Sequence, residues 1–134
     1  MTEPVVIAIR RETDIVDARQ RGRKMAQALG VTGTDLTLIA TAISEIARNI
    51  LLYAGEGEIL LQPDADGGRE GLTVIARDAG PGIEDIDRAL QDGFTTGGGL
   101  GLGLPGAKRL MDEFEIDSSP GEGTTVKMTK WCRT

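Results

Sequence analysis

The chain of 134 residues contains no histidine and only one cysteine, Cys132. Without histidine, Ser-His-Asp and Cys-His catalysis, HExxH zinc sites and autophosphorylation on histidine are all excluded within this chain. A single cysteine excludes an intrachain disulfide and argues against a metal site built from several cysteines. The missing histidine narrows the possible chemistry more sharply than most other features of the composition.

Aromatic residues, long apolar runs and positive charge are also scarce. Two Phe, one Tyr and one Trp leave Leu, Ile, Val and Ala to fill the core. No apolar run approaches the length of a membrane span, and the N-terminus is charged where a signal peptide is apolar. A net charge of −6 argues against binding to nucleic acid phosphates. We therefore expect a cytoplasmic protein, one domain over residues 1–134, without a membrane or nucleic acid partner; its oligomeric state stays open.

Hydrophobic periodicity predicts the order strand, helix, helix, strand, strand, helix, helix, strand, strand. Strands linked by hairpin-length connections indicate a mixed, mostly antiparallel sheet with helices on one face, an α+β two-layer sandwich. The strands are expected at 4–10, 58–62, 72–77, 115–118 and 124–130, with a polar loop at 63–70. The helices are expected from 13 or 14 to 29, from 34 or 35 to 53, from 83 to 90, and from 102 or 105 to 114.

The chain has 19 glycines, clustered between residues 93 and 106. Residues 101–106, GLGLPG, match G-x-G-x-x-G, but no strand precedes them and no strand with an acidic end follows, so a Rossmann site is rejected. A P-loop is rejected because Lys108 is followed by Arg109 and not by Ser or Thr. A flexible linker and an anion-binding loop before a helix N-terminus both remain, and the helical apolar spacing that follows slightly favours the second.

Three further motifs are weak when taken singly. Glu45 and Asn49 are four residues apart on the helix face opposite an apolar stripe. Asp78 ends a predicted strand, and the motif D-x-G-x-G behind it permits a tight turn. Residues 121–124, GEGT, read as a hairpin turn. A solvated helix face, an Asp-initiated turn and an ordinary hairpin explain each of them without any ligand.

In their order and spacing, from residue 41 to 125, these four motifs resemble the GHKL superfamily of ATP-binding proteins, whose Bergerat fold is a two-layer α/β sandwich. The resemblance implies ATP and Mg²⁺ as cofactors, Glu45 as general base and Asn49 as metal ligand. It places Asp78 at the adenine amino group and makes the glycine-rich run the nucleotide lid. The nucleotide-binding residues implied by position are Asn49, Asp78, Gly80, Gly82, Thr96, Gly97, Gly98, Gly99, Leu100, Gly101, Leu102, Gly103 and Thr124.

Within that superfamily, a short chain without a phosphoacceptor histidine looks like the anti-sigma-factor serine/threonine kinases. SEIARNILLYAGEGEI at 44–59 and the short lid FTTGGGLGLGLPGAKRLMDEF at 94–114 are most similar to the stressosome switch kinases among them. The resemblance implies phosphorylation of Ser or Thr on STAS-domain antagonists of a stressosome scaffold, and activation of a PP2C-type phosphatase by the released kinase. So short a lid is expected to leave the γ-phosphate open to a docked protein substrate.

Four alternatives stay open at this point. One is a kinase that binds a sigma factor directly, and another is a nucleotide-dependent binding module without essential catalysis. The third is an ATP-binding fragment that acts on a histidine in another chain. The last is a glycine-loop protein that binds no nucleotide.

Overall fold

The computed structural model describes residues 3–82 and 103–132. Its elements are β1 (Val5–Ile9), α1 (Glu12–Ala28), α2 (Thr34–Tyr53), β2 (Gly57–Asp66), β3 (Arg69–Asp78), α3 (Gly103–Leu110), β4 (Glu113–Ser118) and β5 (Thr124–Trp131). The strands form one sheet in the order β1-β2-β3-β5-β4, and all four pairings between them are antiparallel. The predicted α+β class is confirmed; the predicted helix at 83–90 lies outside the described residues.

One core lies between the sheet and the helices. In β1, Ile7 and Ile9 are buried whereas Val6 is exposed, the alternation expected of a strand with one covered face. Helix α2 is central, because it contacts α1, α3 and the strands of the sheet. Its large buried apolar side chains recur at helical spacing and are Leu36, Ile39, Ile43, Ile46 and Ile50.

Helix α2 also has the length and apolar composition of a membrane span, the one helix in the described part of the chain that does. More than half of that apolar window, 56%, is buried inside the protein, where it packs on the sheet and the neighbouring helices. We therefore interpret α2 as the core helix of the domain.

The hairpin of β2 and β3 is longer than predicted, and the expected loop at 63–70 is wrong. The two strands stay paired as far as Asp66 and Arg69, so that only Gly67 and Gly68 form the turn. These glycines have φ of 57° and 87°, the left-handed pair that a type I′ turn requires. The polar residues that suggested a loop are accommodated within the strands: the Thr73 hydroxyl donates to Oδ2 of Asp64 at 2.8 Å.

Helix α3 ends earlier than predicted, at Leu110 and not near residue 114. Beyond it, the amide of Asp112 donates to the carbonyl of Thr129, and β4 starts pairing with β5 at Glu113. The apolar spacing that suggested a longer helix therefore belongs partly to a strand. The structure places the start of α3 at Gly103, within the C-terminal part of the glycine-rich run.

Candidate functional site

Five predicted site residues in the described part of the chain lie on four elements, and Gly80 and Gly82 lie in the loop that follows β3. Glu45 and Asn49 are in the C-terminal half of α2, and Gly103 is the first residue of α3. Asp78 is the last residue of β3 and Thr124 the first of β5, and the antiparallel register places these two opposite each other. Because α2 contacts both α3 and β3, these elements border a common region.

Glu45 is the one carboxylate that is buried among the described residues, with 2% of its surface exposed. Its Oε2 accepts a hydrogen bond of 3.1 Å from the backbone amide of Gly103. This amide is at the N-terminal end of α3, where unpaired N–H groups and the helix dipole favour a negative charge. The bond fixes a buried proton acceptor at the point where the glycine-rich run enters the helix.

Asn49 lies one helical turn beyond Glu45, and its Nδ2 atom is buried without a hydrogen-bond partner among the described residues. A buried polar group without a partner lowers the stability of the folded state by about 1–3 kcal/mol. A protein that keeps such a group is expected to use it for something other than stability, such as ligand binding. The two ends of an Asn amide are assigned from hydrogen bonding, so its oxygen can equally take this position. The side chain thus has the chemistry to bind a ligand that is not part of the chain.

The amide oxygen of Asn49 suits Mg²⁺, which takes hard oxygen ligands and usually keeps several waters besides nucleotide phosphates. Among residues 3–82 and 103–132, no group of three or more His, Cys, Asp or Glu could hold a metal ion alone. These residues therefore fit a cation held jointly by Asn49 and a nucleotide, and they do not fit a cation held by a protein cage.

Asp78 is oriented by the turn that follows it. Its Oδ1 accepts a hydrogen bond of 2.9 Å from the amide of Gly80, an Asx-type turn. A Cβ atom on Gly80 would lie 2.6 Å from the Cβ of Ala54, the residue that caps α2. The turn behind Asp78 therefore lies directly against the end of the helix that carries Glu45 and Asn49.

The turn between β4 and β5 packs against the same loop through the backbone. A Cβ atom on Gly123 would lie 2.2 Å from the carbonyl oxygen of Asp78, and one on Gly82 would lie 2.1 Å from that of Ser119. The amide of Gly121 donates to the carbonyl of Pro81 at 2.6 Å. Only glycine allows the two loops to approach this closely, so D-x-G-x-G and GEGT, weak as separate motifs, form one packed unit.

Thr124 completes this unit from the strand side. Its hydroxyl lies 2.8 Å from the Ser118 hydroxyl, which also donates to the carbonyl of Gly123 at 2.9 Å. The structure thus brings Thr124 next to Asp78. Of the predicted lid, Gly103 is described, whereas Thr96, Gly97, Gly98, Gly99, Leu100, Gly101 and Leu102 lie outside the described residues.

Two features of this region were not predicted from the sequence. The Nε atom of Arg48 is buried without a hydrogen-bond partner in the described part of the chain, and its Nη1 lies 4.0 Å from Oε2 of Glu12. Ser119 contributes a backbone carbonyl to the contact with Gly82. A charged residue beside the motif E-x-x-x-N could have drawn attention to Arg48, but a backbone carbonyl leaves no signal in the sequence.

Sequence comparisons show the family to which the chain belongs. The sequence model of the family described as histidine kinase-like ATPase domain matches residues 10–130. The chain is 54% identical over 133 residues to the serine/threonine-protein kinase RsbT of Bacillus subtilis (strain 168), covering 99% of this chain and all of that protein. It is 38% identical over 112 residues to the anti-sigma F factor of Thermoanaerobacter sp. (strain X514), covering 79% of this chain and 77% of that protein.

Two solved structures share the fold at lower identity. One contains the RsbU and RsbW domains of Rv1364c from Mycobacterium tuberculosis (TM-score 0.66, 21% identity); the match covers 99% of this chain and 34% of that one. The other is the mycobacterial sensor histidine kinase MprB (TM-score 0.56, 20% identity), with 99% of both chains covered. At such identities the likeness concerns the fold alone.

Proposed function

Because the chain belongs to the histidine kinase-like ATPase family and is a serine/threonine-protein kinase that uses ATP, we propose that its substrate is a small STAS-domain antagonist protein. In this proposal the antagonists form a stressosome scaffold that holds the kinase, and the released kinase activates a PP2C-type phosphatase. The pathway is cytoplasmic. The observation that carries the catalytic part of the proposal is the buried carboxylate of Glu45, held by the amide of Gly103.

Glu45 is the general base in this mechanism. The hydroxyl oxygen of the substrate Ser or Thr forms a bond to the γ-phosphorus of ATP while the bond from that phosphorus to the ADP oxygen breaks. The hydroxyl proton passes to the Glu45 carboxylate, and ADP leaves with the electron pair of the broken bond. The hydrogen bond from Gly103 keeps the carboxylate in one orientation, which lowers the entropic cost of reaching the reactive geometry.

Asn49 would hold Mg²⁺ through its amide oxygen, with the nucleotide phosphates as further ligands. The cation, when bound, offsets the negative charge of the phosphates. The unpartnered end of this amide supports the role: with the oxygen assigned to that position, a bound cation would resolve an otherwise unfavourable burial.

Asp78 would recognise adenine by accepting a hydrogen bond from the exocyclic amino group. Its orientation by the Gly80 amide supports this role, and Gly82 and Thr124 lie beside it as part of the packed loops. Residues 96–102 would cover the phosphates as the nucleotide lid, ending at Gly103. A short lid would leave the γ-phosphate accessible to a docked protein.

The proposal is tested by incubating the purified protein with Mg²⁺, ³²P-labelled ATP and a purified STAS-domain antagonist. Label on a Ser or Thr of the antagonist, stable to acid, is expected, and no label on it would contradict the proposed substrate. Acid-labile label would instead indicate transfer to histidine. Asn49→Ala is expected to abolish labelling, and labelling that survives the substitution would exclude the metal role.

The identity to an anti-sigma F factor favours a second candidate, a kinase that binds a sigma factor directly. Immobilised protein exposed to a purified sigma factor, with and without Mg²⁺-ATP, separates the two. Nucleotide-dependent capture of the sigma factor would favour the second candidate, and capture of the antagonist or the phosphatase alone would favour the first.

A further inference from the structure

At the opposite end of α3 from Glu45, the structure contains a buried cation that the phosphotransfer mechanism does not use. We propose that Lys130 is a positioning residue for phosphotransfer: it holds the C-terminal end of α3 and thereby sets the Gly103 amide against Glu45. This inference rests on the proposed role of Glu45 as the base.

Lys130 is charged but only 4% exposed, and it lies in β5, between β3 and β4 in the sheet. Its Nζ donates a hydrogen bond of 2.9 Å to the carbonyl of Leu110, the last residue of α3. A cation at this position is favourable, because the carbonyls at a helix C-terminus lack partners and carry negative partial charge. The ammonium group therefore caps α3 from the sheet.

Two carboxylates fix the ammonium group from other elements. Oδ1 of Asp35, in the first turn of α2, lies 3.7 Å from Nζ, and Oδ1 of Asp112 lies 3.6 Å from it. Asp112 is itself attached to β5, since its Oδ2 accepts 2.8 Å from the amide of Trp131. Lys130 thus joins α2, α3 and β5 at one point, and α3 cannot shift along its axis without disturbing all of them.

Helix α3 has reason to depend on such an anchor. It has only eight residues, GLPGAKRL, and its two glycines are poor helix formers, so its own propensity stabilises it little. At about 1.5 Å per residue the helix is about 12 Å long, short enough to move as a rigid unit. A displacement at Leu110 would therefore be transmitted to Gly103 and to the 3.1 Å bond with Glu45.

Substitutions can separate a stabilising role of this cluster from a positioning role. Replacing a buried ion pair by neutral groups of similar size is often neutral or stabilising, whereas removing one partner is strongly destabilising. Lys130→Met removes the cation that lies between Asp35 and Asp112 and is expected to lower the free energy of unfolding. The triple variant K130M/D35N/D112N removes those charges as well and is expected to recover much of that loss.

The triple variant separates positioning from stability, because it still lacks the donor to Leu110. We expect its unfolding midpoint in urea to approach that of the wild type while kcat for phosphotransfer stays about 100-fold lower, the cost of a misplaced base. KM for ATP should change much less, since the adenine end of the site is untouched. Recovery of kcat together with stability would overturn the proposal. Lys127→Met, at an exposed position of the same strand, is the matched control and should behave as the wild type.

Hydrogen exchange at the Gly103 amide tests the inference without any kinase assay. Protection of this amide is expected in the wild type and should fall by about tenfold or more in Lys130→Met under conditions where the variant is folded. Unchanged protection would overturn the positioning role even if the wild type is an active kinase. If the wild type transfers no phosphate but Lys130→Met still loses protection at the Gly103 amide, the proposed function is refuted. The positioning of α3 by Lys130 is then still supported.

Discussion

The backbone amide of Gly103 donates a hydrogen bond to the side chain of Glu45 across 58 residues of sequence, at a distance of 3.1 Å. This bond joins the end of the glycine-rich run to the helix that forms the middle of the core. It gives a buried carboxylate a defined orientation. The structural role of Glu45, as acceptor of this bond, can therefore be tested separately from its proposed role as general base.

Glu45→Gln should separate these roles. The Gln amide oxygen can still accept the bond from Gly103, so we expect the free energy of unfolding to change by about 1 kcal/mol or less. The variant lacks a proton acceptor of suitable basicity, so kcat should fall by about 10²- to 10⁴-fold. Urea denaturation measures the free energy of unfolding, and phosphotransfer assays measure kcat. Glu56→Gln, at an exposed position, is the control; a Glu45→Gln enzyme with the kcat of the wild type would refute the base assignment.

Asn49→Ala should weaken Mg²⁺-dependent nucleotide binding without lowering stability much. The Nδ2 atom has no partner to lose among the described residues, so removing the amide also removes a burial penalty of about 1–3 kcal/mol. We expect calorimetry to show weak ATP binding that no longer responds to Mg²⁺, while the urea midpoint stays close to that of the wild type. A large loss of stability would instead indicate that the amide is a structural group with a partner.

Gly123→Ala and Gly121→Ala form a matched pair in one turn. Both glycines have φ near +80°, which costs an alanine about 1–2 kcal/mol. At Gly121 a Cβ atom meets nothing within 4 Å, whereas at Gly123 it would lie 2.2 Å from the carbonyl of Asp78. Gly123→Ala should therefore be clearly less stable than Gly121→Ala, and it alone should weaken ADP binding by displacing Asp78. Equal effects in thermal unfolding and calorimetry would show that the contact with Asp78 is unimportant.

Cys132 should be a slow nucleophile in the folded protein. Burial, and secondarily the negative charge of Glu70, raises the pKa of its thiol above the ordinary value of 9.0. Less of the reactive thiolate is then present at pH 8 than in an unfolded chain, so iodoacetamide should modify the protein faster in urea than in buffer. Equal alkylation rates in the two states would contradict this.

The same shift predicts a pH effect on stability. Because the pKa is raised in the folded state, the thiol stabilises that state below the ordinary pKa, and the contribution is lost as pH rises through the raised value. The difference in unfolding free energy between the wild type and Cys132→Ala should therefore narrow or reverse above pH 9.0. A difference that is independent of pH up to the alkaline limit of folding would exclude the effect.

Much of the fold could be predicted from the sequence, because its signals are local. The helical spacing of Ile39, Ile43 and Ile46 predicts α2, and the spacing of Glu45 and Asn49 predicts that they share a face of it. The tip of the β2–β3 hairpin was missed, since its polar residues resemble a loop and the pairing depends on the φ values of Gly67 and Gly68.

For the candidate site, the sequence predicts which side chains take part but not the backbone contacts that position them. The bond from Gly103 to Glu45 and the contact of Gly123 with Asp78 involve backbone atoms that every residue has, so residue type does not reveal them. The burial of Lys130 was missed for a related reason: a lysine in a predicted strand is ordinarily exposed, and its three partners come from distant parts of the chain.

The central position of α2 has a consequence for how activity responds to heat. Glu45 and Asn49 lie on the same helix whose apolar face packs against the sheet, so neither can leave its place while the hydrophobic interior is intact. Enzymes whose reactive groups lie on peripheral loops commonly inactivate below their melting temperature, because those loops open first. Here Glu45 and Asn49 should keep their positions up to the melting temperature, so a loss of activity at a lower temperature should arise in the loops around Asp78 or in α3.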